Sequence, residues 1–212
     1  MTEFNHDAIQ AAYHDLGYRY GWTFMMNPER TMREADVAFI GLNPGGGGEK
    51  DEWAHEGVWA VPSGNAYYGA WSPGESKTSI QIQIEHWHNE LSLKSDESFC
   101  AQFVPFRSPS WRDLERKEDA LAFSMRLWKW TLENSRARLL VTMGKVPGRY
   151  LSNLLNAAHV AQFQAGWGKQ MIDVYEGSGY RIVAMPHPSR FQLLGRGSKS
   201  EVSQTSFRLA TN

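Results

Sequence analysis

Two side chains stand out as able to do chemistry, an amide and an imidazole, each followed by a proline and a small residue after an apolar run. The amide, Asn43, follows Val37-Ala38-Phe39-Ile40-Gly41-Leu42 and leads into Pro44, Gly45 and three more glycines. The imidazole, His187, follows Tyr180-Arg181-Ile182-Val183-Ala184-Met185-Pro186 and leads into Pro188-Ser189. An apolar run that ends at a turn predicts a buried strand opening into a loop. In open α/β sheets, ligands and reacting groups collect at that end of the strands. On the right topology the two strand ends face each other across one sheet edge. Taken singly, each residue also has a plainer reading: Asn43 as a turn cap before proline, His187 as a polar residue satisfied at a strand end.

Other chemistries fit less well. The glycine run lacks the Gly-Lys-Ser/Thr ending of a phosphate loop, and Gly41 to Gly45 is not Gly-x-Gly-x-x-Gly. A nucleotide-binding enzyme or a hydrolase of unrelated chemistry is therefore the weakest reading. Among seven histidines, His86 and His88 would diverge on a helix, and His6, His14, His55 and His159 are scattered. Neither a nucleophile elbow nor a paired-carboxylate signature stands out. A single cysteine, Cys100, excludes internal disulfides and cysteine-ligated zinc or iron–sulfur sites.

The elements that must position the two side chains can be read in order. Ile9, Tyr13 and Leu16 predict a helix that stops at Gly17. Residues 18–35 are aromatic and irregular, and Val37–Leu42 is the first strand. A long loop from Gly45 to about Tyr68 carries Trp53, His55, Trp59, Tyr67 and Tyr68; long ordered loops are usually functional. Ile80, Ile84, Trp87 and Leu91 have helical spacing, although Ile80, Ile82 and Ile84 also alternate. Phe99–Phe106 is a second strand, Leu121 to Leu132 an amphipathic helix, and Arg138–Gly144 a third strand. A helix from near Val146 to Ala157, a short edge strand at Met171–Tyr175, the strand Tyr180–Met185 and a helix near Ser200–Leu209 complete the chain. Strands alternating with helices predict a three-layer α/β/α fold whose central sheet is mostly parallel and four-stranded. With 42% apolar residues over 212 positions and no linker or charge block, residues 1–212 are expected to form one domain. No apolar run is long enough to span a bilayer, and the N-terminus lacks the pattern of a signal peptide, so a cytoplasmic protein is expected. The net charge of −1 hides an asymmetry. From Arg136 onward ten Lys/Arg face three acids, +7, which leaves −8 for the rest. That points to a polyanion-facing side, or equally to a solvated basic face.

Gly41-Leu42-Asn43-Pro44-Gly45 after the first strand, paired with His187-Pro188-Ser189 after the last, resembles the uracil-DNA glycosylase superfamily. It is most similar to the mismatch-specific and single-strand-selective branches, with Gly-x-Asn-Pro-Gly as first motif and His-Pro-Ser as second. The resemblance covers roughly Val37 to Gly197. It implies a monofunctional DNA glycosylase that hydrolyses the N-glycosidic bond of a flipped-out uracil-like or modified pyrimidine and leaves an abasic site. It further implies no metal or organic cofactor, DNA as partner with no membrane, and a monomer. Asn43 would orient the attacking water, and His187 would donate a hydrogen bond to the base oxygen as its negative charge grows. Backbone N–H groups of Gly45–Gly48 would assist.

The same resemblance assigns a base pocket to Gly41, Leu42, Pro44 and Gly45, with Trp59 as the stacking aromatic; Tyr67 and Tyr68 are alternatives. Where the family often carries an asparagine that reads the pyrimidine edge, this chain has Gln102. With the glycine-rich first motif, that departure suits a larger base, such as a hydroxymethylated or glucosylated pyrimidine of phage DNA, and hence a role in phage defence. Phe191, flanked by Ser189, Arg190 and Arg196, reads as a wedge inserted into the duplex, with Lys145, Arg190, Arg196 and Lys199 as phosphate contacts. The rival expectation is a catalytically inactive nucleic-acid-binding or sensing module on the same fold.

Overall fold

The computed structural model describes residues 3–46, 57–69 and 76–212. In chain order they form α1 (His6–Asp15), β1 (Trp22–Met25), α2 (Arg30–Glu34), β2 (Val37–Gly41), β3 (Gly57–Ala60), α3 (Ser79–Glu90), β4 (Ser98–Gln102) and α4 (Lys117–Asn134). Then follow β5 (Leu139–Met143), α5 (Lys145–Leu154), β6 (Ala158–Gln164), β7 (Met171–Gly177), β8 (Tyr180–Met185), a single 3-10 turn at Gly197–Ser200, and α6 (Glu201–Thr211). Local chemistry explains several of the boundaries. Asn5 caps α1 by accepting from the Ala8 N–H at 3.0 Å, and the chain leaves α1 through Gly17 at φ +73°. The ambiguity over Ile80, Ile82 and Ile84 resolves as helix because Thr78 and Gln81 form a reciprocal capping box.

The described strands make one sheet in the order β3-β1-β4-β2-β5-β8-β7-β6. This corrects the expected four-stranded, mostly parallel sheet: there are eight strands, and the sheet is mixed. β1 runs antiparallel to β4, β7 to β8, and β6 to β7. The four core strands expected from the sequence are the contiguous β4-β2-β5-β8, paired parallel throughout. Apart from β7, expected as an edge strand at Met171–Tyr175, the additional strands have physical reasons for escaping notice. β1 (Trp-Thr-Phe-Met) is buried on both faces, so it shows no alternation. β3 is four residues inside a loop, and β6 is a largely exposed edge with a register shift between His159 and Ala161. β7 is therefore an interior strand and not an edge.

Alternation along the parallel strands feeds two cores. Ala38, Ile40, Ala101 and Leu140 pack with Ile9 of α1, Leu127 and Trp128 of α4 and Leu151 of α5. On the opposite face Phe39, Cys100, Val141 and Val183 pack with Ile84 and Trp87 of α3 and Phe207 of α6. Helices thus cover both faces, giving the three layers expected. None of the described helices is long and apolar enough to cross a membrane.

Candidate active site

Because β4, β2, β5 and β8 are parallel, their carboxyl ends share one edge. That edge carries Gln102, Gly41 to Asn43, Met143-Gly144, and Met185 to His187 in spatial order. Asn43 and His187 sit after strands separated only by β5, about 10 Å at two strand spacings. The residue between them is Gly144, at φ +117°. A Cβ built there would lie 3.5 Å from Cδ2 of His187, so the missing side chain leaves the space between amide and imidazole open.

Asn43 is held from outside its own motif. Beyond β4 the chain runs alongside β2's exit, with Phe103 N–H donating to Gly41 O at 2.8 Å, Val104 N–H to Leu42 O at 2.8 Å and Ser108 N–H to Pro44 O at 3.4 Å. This brings Ser108 Oγ to 2.9 Å from Asn43 Nδ2, which also donates to Pro44 O at 3.2 Å. Ser108 Oγ gives its own hydrogen to Ser110 O at 2.8 Å. It must therefore accept from Asn43, and this fixes which amide atom is Nδ2 and leaves Oδ1 as the acceptor. Pro44 further restricts Asn43 to extended backbone. Arg107 supports the same turn, donating to Gly45 O at 3.1 Å and Thr23 Oγ1 at 2.8 Å. Ser108 escaped the sequence reading; the only available signal was the polar Arg107-Ser108-Pro109-Ser110 run just beyond a strand end.

His187 is held locally. Its Nδ1 lies 2.7 Å from Ser189 Oγ and 3.3 Å from the Ser189 N–H. An amide N–H can only donate, so Nδ1 is the bare nitrogen and Nε2 carries the proton. Burial, and to a lesser degree the Arg190 charge, lowers the imidazole pKa from its ordinary value. The ring is thus a neutral Nε2–H donor at neutral pH. Its strand is seated by α5: a Cβ on Gly148 would lie 2.6 Å from the Ala184 Cβ, so helix and β8 touch closely only because Gly148 has none. The loop beyond is clamped on α3, where Gln83 donates to Leu194 O at 3.0 Å and accepts from its N–H at 2.9 Å.

Gln102 projects over Gly41, its register partner on β2. A Cβ on Gly41 would come within 2.2 Å of the Gln102 Oε1; the glycine makes the seat for this amide. Its Nε2 donates to Tyr67 OH at 3.2 Å, while Oε1 is buried with no hydrogen-bond partner among the described residues. Tyr67 is aimed by an Asx turn in which Asn65 Oδ1 accepts its N–H at 3.0 Å. Burial pushes the Tyr67 phenol beyond its usual range, so it stays protonated.

The remaining expected site residues are spread more widely. Leu42 is half-buried, Pro44 buried and Gly45 exposed beside Asn43. Trp59 is not brought to this edge. It lies on β3, beyond β1 from β4, with its ring 5.3 Å from Phe24 and 6.2 Å from Trp130. It lines a cleft with His6, Pro28 and Arg30 instead. Tyr68 stands edge-on to His88 at 5.4 Å. Lys145 Nζ is engaged by Asp173 at 2.7 Å and Ala184 O at 2.8 Å, and burial lowers its pKa. Arg196 is turned inward onto Leu193 O at 3.1 Å and Gly166 O at 3.2 Å. Ser189, Arg190 and Lys199 are exposed, whereas Phe191 is half-buried. Gly47, Gly48, Trp53 and His55 lie outside the described residues.

A search of curated proteins found no match to the chain. The family model of the uracil DNA glycosylase superfamily matches residues 28–205, a span that holds every strand end described above. The chain therefore belongs to the uracil DNA glycosylase superfamily, whose members are mostly DNA glycosylases.

Proposed function

We propose that this chain, as a single domain, is a monofunctional DNA glycosylase for a uracil-like or modified pyrimidine, with Asn43 and His187 as its catalytic residues. The observation that carries the reading is their placement at exits of parallel strands of one sheet, on either side of Gly144. The amide has its Nδ2 engaged by Ser108 and Pro44 O, leaving Oδ1 as acceptor, and the neutral imidazole carries its proton on Nε2. Water oriented by Asn43 Oδ1 adds to C1′ of the deoxyribose as the bond from C1′ to the base nitrogen breaks. The electron pair of that bond leaves with the base, and the water proton is lost to solvent or to the departing base. Charge develops on the base oxygen, where the Nε2–H of His187 donates; such a donor is worth about 10²–10³-fold in rate. Amides are poor bases, so a modest rate is expected.

The pocket side is Gly41, Leu42, Pro44, Gly45 and Gln102, with Tyr67 rather than Trp59 as the neighbouring aromatic. Tyr67 OH takes one hydrogen of the Gln102 Nε2 while Oε1 has no partner among the described residues, so the amide has an acceptor to offer the base. The matching base edge presents an N–H, as N3–H of uracil or the amino group of a cytosine derivative does. The room over Gly41 is already taken by Gln102, so the bulky glucosylated substrates and the phage-defence role are the further reach of this reading. The motif pair favours the mismatch-specific or single-strand-selective branches. Arg190, Ser189 and Lys199 are the phosphate contacts, and Lys145 and Arg196 act as braces behind them.

The test is alkali-induced strand cleavage of oligonucleotides carrying uracil, hydroxymethyluracil, hypoxanthine or glucosylated hydroxymethylcytosine, single-stranded and in duplex. Release of one base is expected, reduced about 10²–10⁴-fold in Asn43→Ala and by about 10²–10³-fold in His187→Ala. DNA binding without release from any of them would instead identify an inactive binding module.

A further inference from the structure

Few large apolar side chains of the described residues are exposed, and one of them is an indole. Trp167, 38% exposed, sits at the tip of the β6–β7 hairpin, which the glycosylase reading does not use. We propose that Trp167 is a DNA-stacking residue, a platform on which an unstacked base next to the excised nucleotide lies. The inference rests on the glycosylase reading for its ligand class and on separate geometry for its residue.

The tip is built to hold the indole still. Gly166 and Gly168 take φ +71° and +52°, and a Cβ on Gly166 would lie 2.5 Å from Ser203 Oγ. Ser203 donates to Ala165 O at 2.7 Å, and Arg196 donates to Gly166 O at 3.2 Å and Leu193 O at 3.1 Å. The hairpin is thereby tied both to α6 and to the loop that carries His187. The Arg196 guanidinium lies 4.7 Å from the indole centroid, and Phe191 meets it edge-on at 6.3 Å. Phe191 in turn donates its backbone N–H to His187 O at 3.1 Å. Trp167 is therefore one ring contact from the His187 turn.

An indole backed by a guanidinium, with its remaining surface open, offers a π surface to a flat ring. Lys169 is on the same tip, Arg190 precedes Phe191 in sequence and Lys199 follows Arg196 by three residues; all three are exposed, as is the acid Glu201. Cations for phosphates interleaved with an aromatic for bases is the pattern of single-stranded nucleic-acid surfaces. The expected wedge, Phe191, is half-buried against Trp167, so the ring the DNA meets is the tryptophan and Phe191 is its support.

The experiment measures the affinity of the full chain for single-stranded and duplex oligonucleotides with one tetrahydrofuran abasic analogue, which requires no knowledge of the base. Trp167→Ala is expected to weaken binding about 5- to 100-fold without changing the salt dependence, whereas Trp167→Phe stays within about 3-fold, because a phenyl ring still stacks. Arg190→Ala should instead lower the salt slope by about one. Affinity within about 2-fold of wild type in Trp167→Ala overturns the proposal, as does equal loss in Trp167→Ala and Trp167→Phe. The two readings fail separately. If DNA binds but no base is released, the glycosylase reading falls and the Trp167 affinities still decide the platform. Base release with an indifferent Trp167→Ala removes the platform alone.

Discussion

At the end of β2 the Asn43 amide is aimed from far along the chain, by Ser108, 65 residues away in sequence. At the end of β8 the imidazole of His187 is aimed by Ser189, two residues away. Both side chains stand on the same sheet edge, yet one orientation depends on the packing of a separate loop and the other travels with its own motif. The His187 end is also doubly secured, since backbone and side chain of Ser189 both reach Nδ1. The Asn43 end tells Nδ2 from Oδ1 by the Ser108 hydroxyl at 2.9 Å and, with a longer contact, by the Pro44 carbonyl at 3.2 Å, so only the hydroxyl anchors the amide to a separate loop. A polar side chain placed over a long distance should be the more fragile of the two.

The sharpest way to break this contrast is to remove each serine hydroxyl. Ser108→Ala is expected to lower single-turnover base release about 10- to 100-fold, because a freed amide presents the wrong atom or position to water. Ser189→Ala should cost only about 2- to 3-fold, since the backbone N–H keeps the tautomer. Equal losses would show that both ends are positioned alike.

A smaller effect is expected from Gly41→Ala. The added methyl would collide with Gln102 Oε1, the far end of a flexible side chain, so the melting temperature should move little while the pocket amide swings away. Relative rates on uracil and on cytosine-derived bases should then shift about 10-fold. An unchanged ranking would detach Gln102 from recognition.

The smallest effect separates the two ends by pH. Asn43 does not titrate, whereas His187 and the buried His88 are both held, chiefly by burial, below the ordinary imidazole pKa of 6.5. A base whose folded pKa is depressed stabilises the fold fully above its unfolded value, and that stability is lost as pH falls below it toward the folded pKa. The melting temperature should therefore hold above about pH 6.5 and decline as the pH falls toward 5. His187→Gln should decline less steeply; an identical decline would assign the acid sensitivity to His88, which sits between Ile84 O at 2.8 Å and Ser98 Oγ at 2.7 Å.

Much of the frame is legible in the amino-acid sequence. The four parallel strands, α1, α3, α4, α5 and α6 follow from contiguous apolar runs and spacing, and the two motifs from strand-end turns. Of the flanking strands β7 is legible, although as an edge, and the others are not, for reasons particular to each. β1 hides its period because both faces are buried. β6 hides it because most of its residues are exposed. Trp59 illustrates the limit at the site: a tryptophan fourteen to eighteen residues beyond a motif looks the same whether it faces a base or packs on Phe24.

What the amino-acid sequence determined by itself is the pair of reactive strand ends, because a strand, its exit turn and the residue at that turn are encoded within about ten neighbours. What only the tertiary structure decided is how those ends are armed. The Ser108–Asn43 contact, the seat of Gln102 on Gly41, the capture of Lys145 by Asp173 and the delivery of Trp167 to the His187 loop each join residues from different elements. Hydrophobic periodicity places an element in its layer, but it carries no record of which polar side chain on another element will complete its hydrogen bonds.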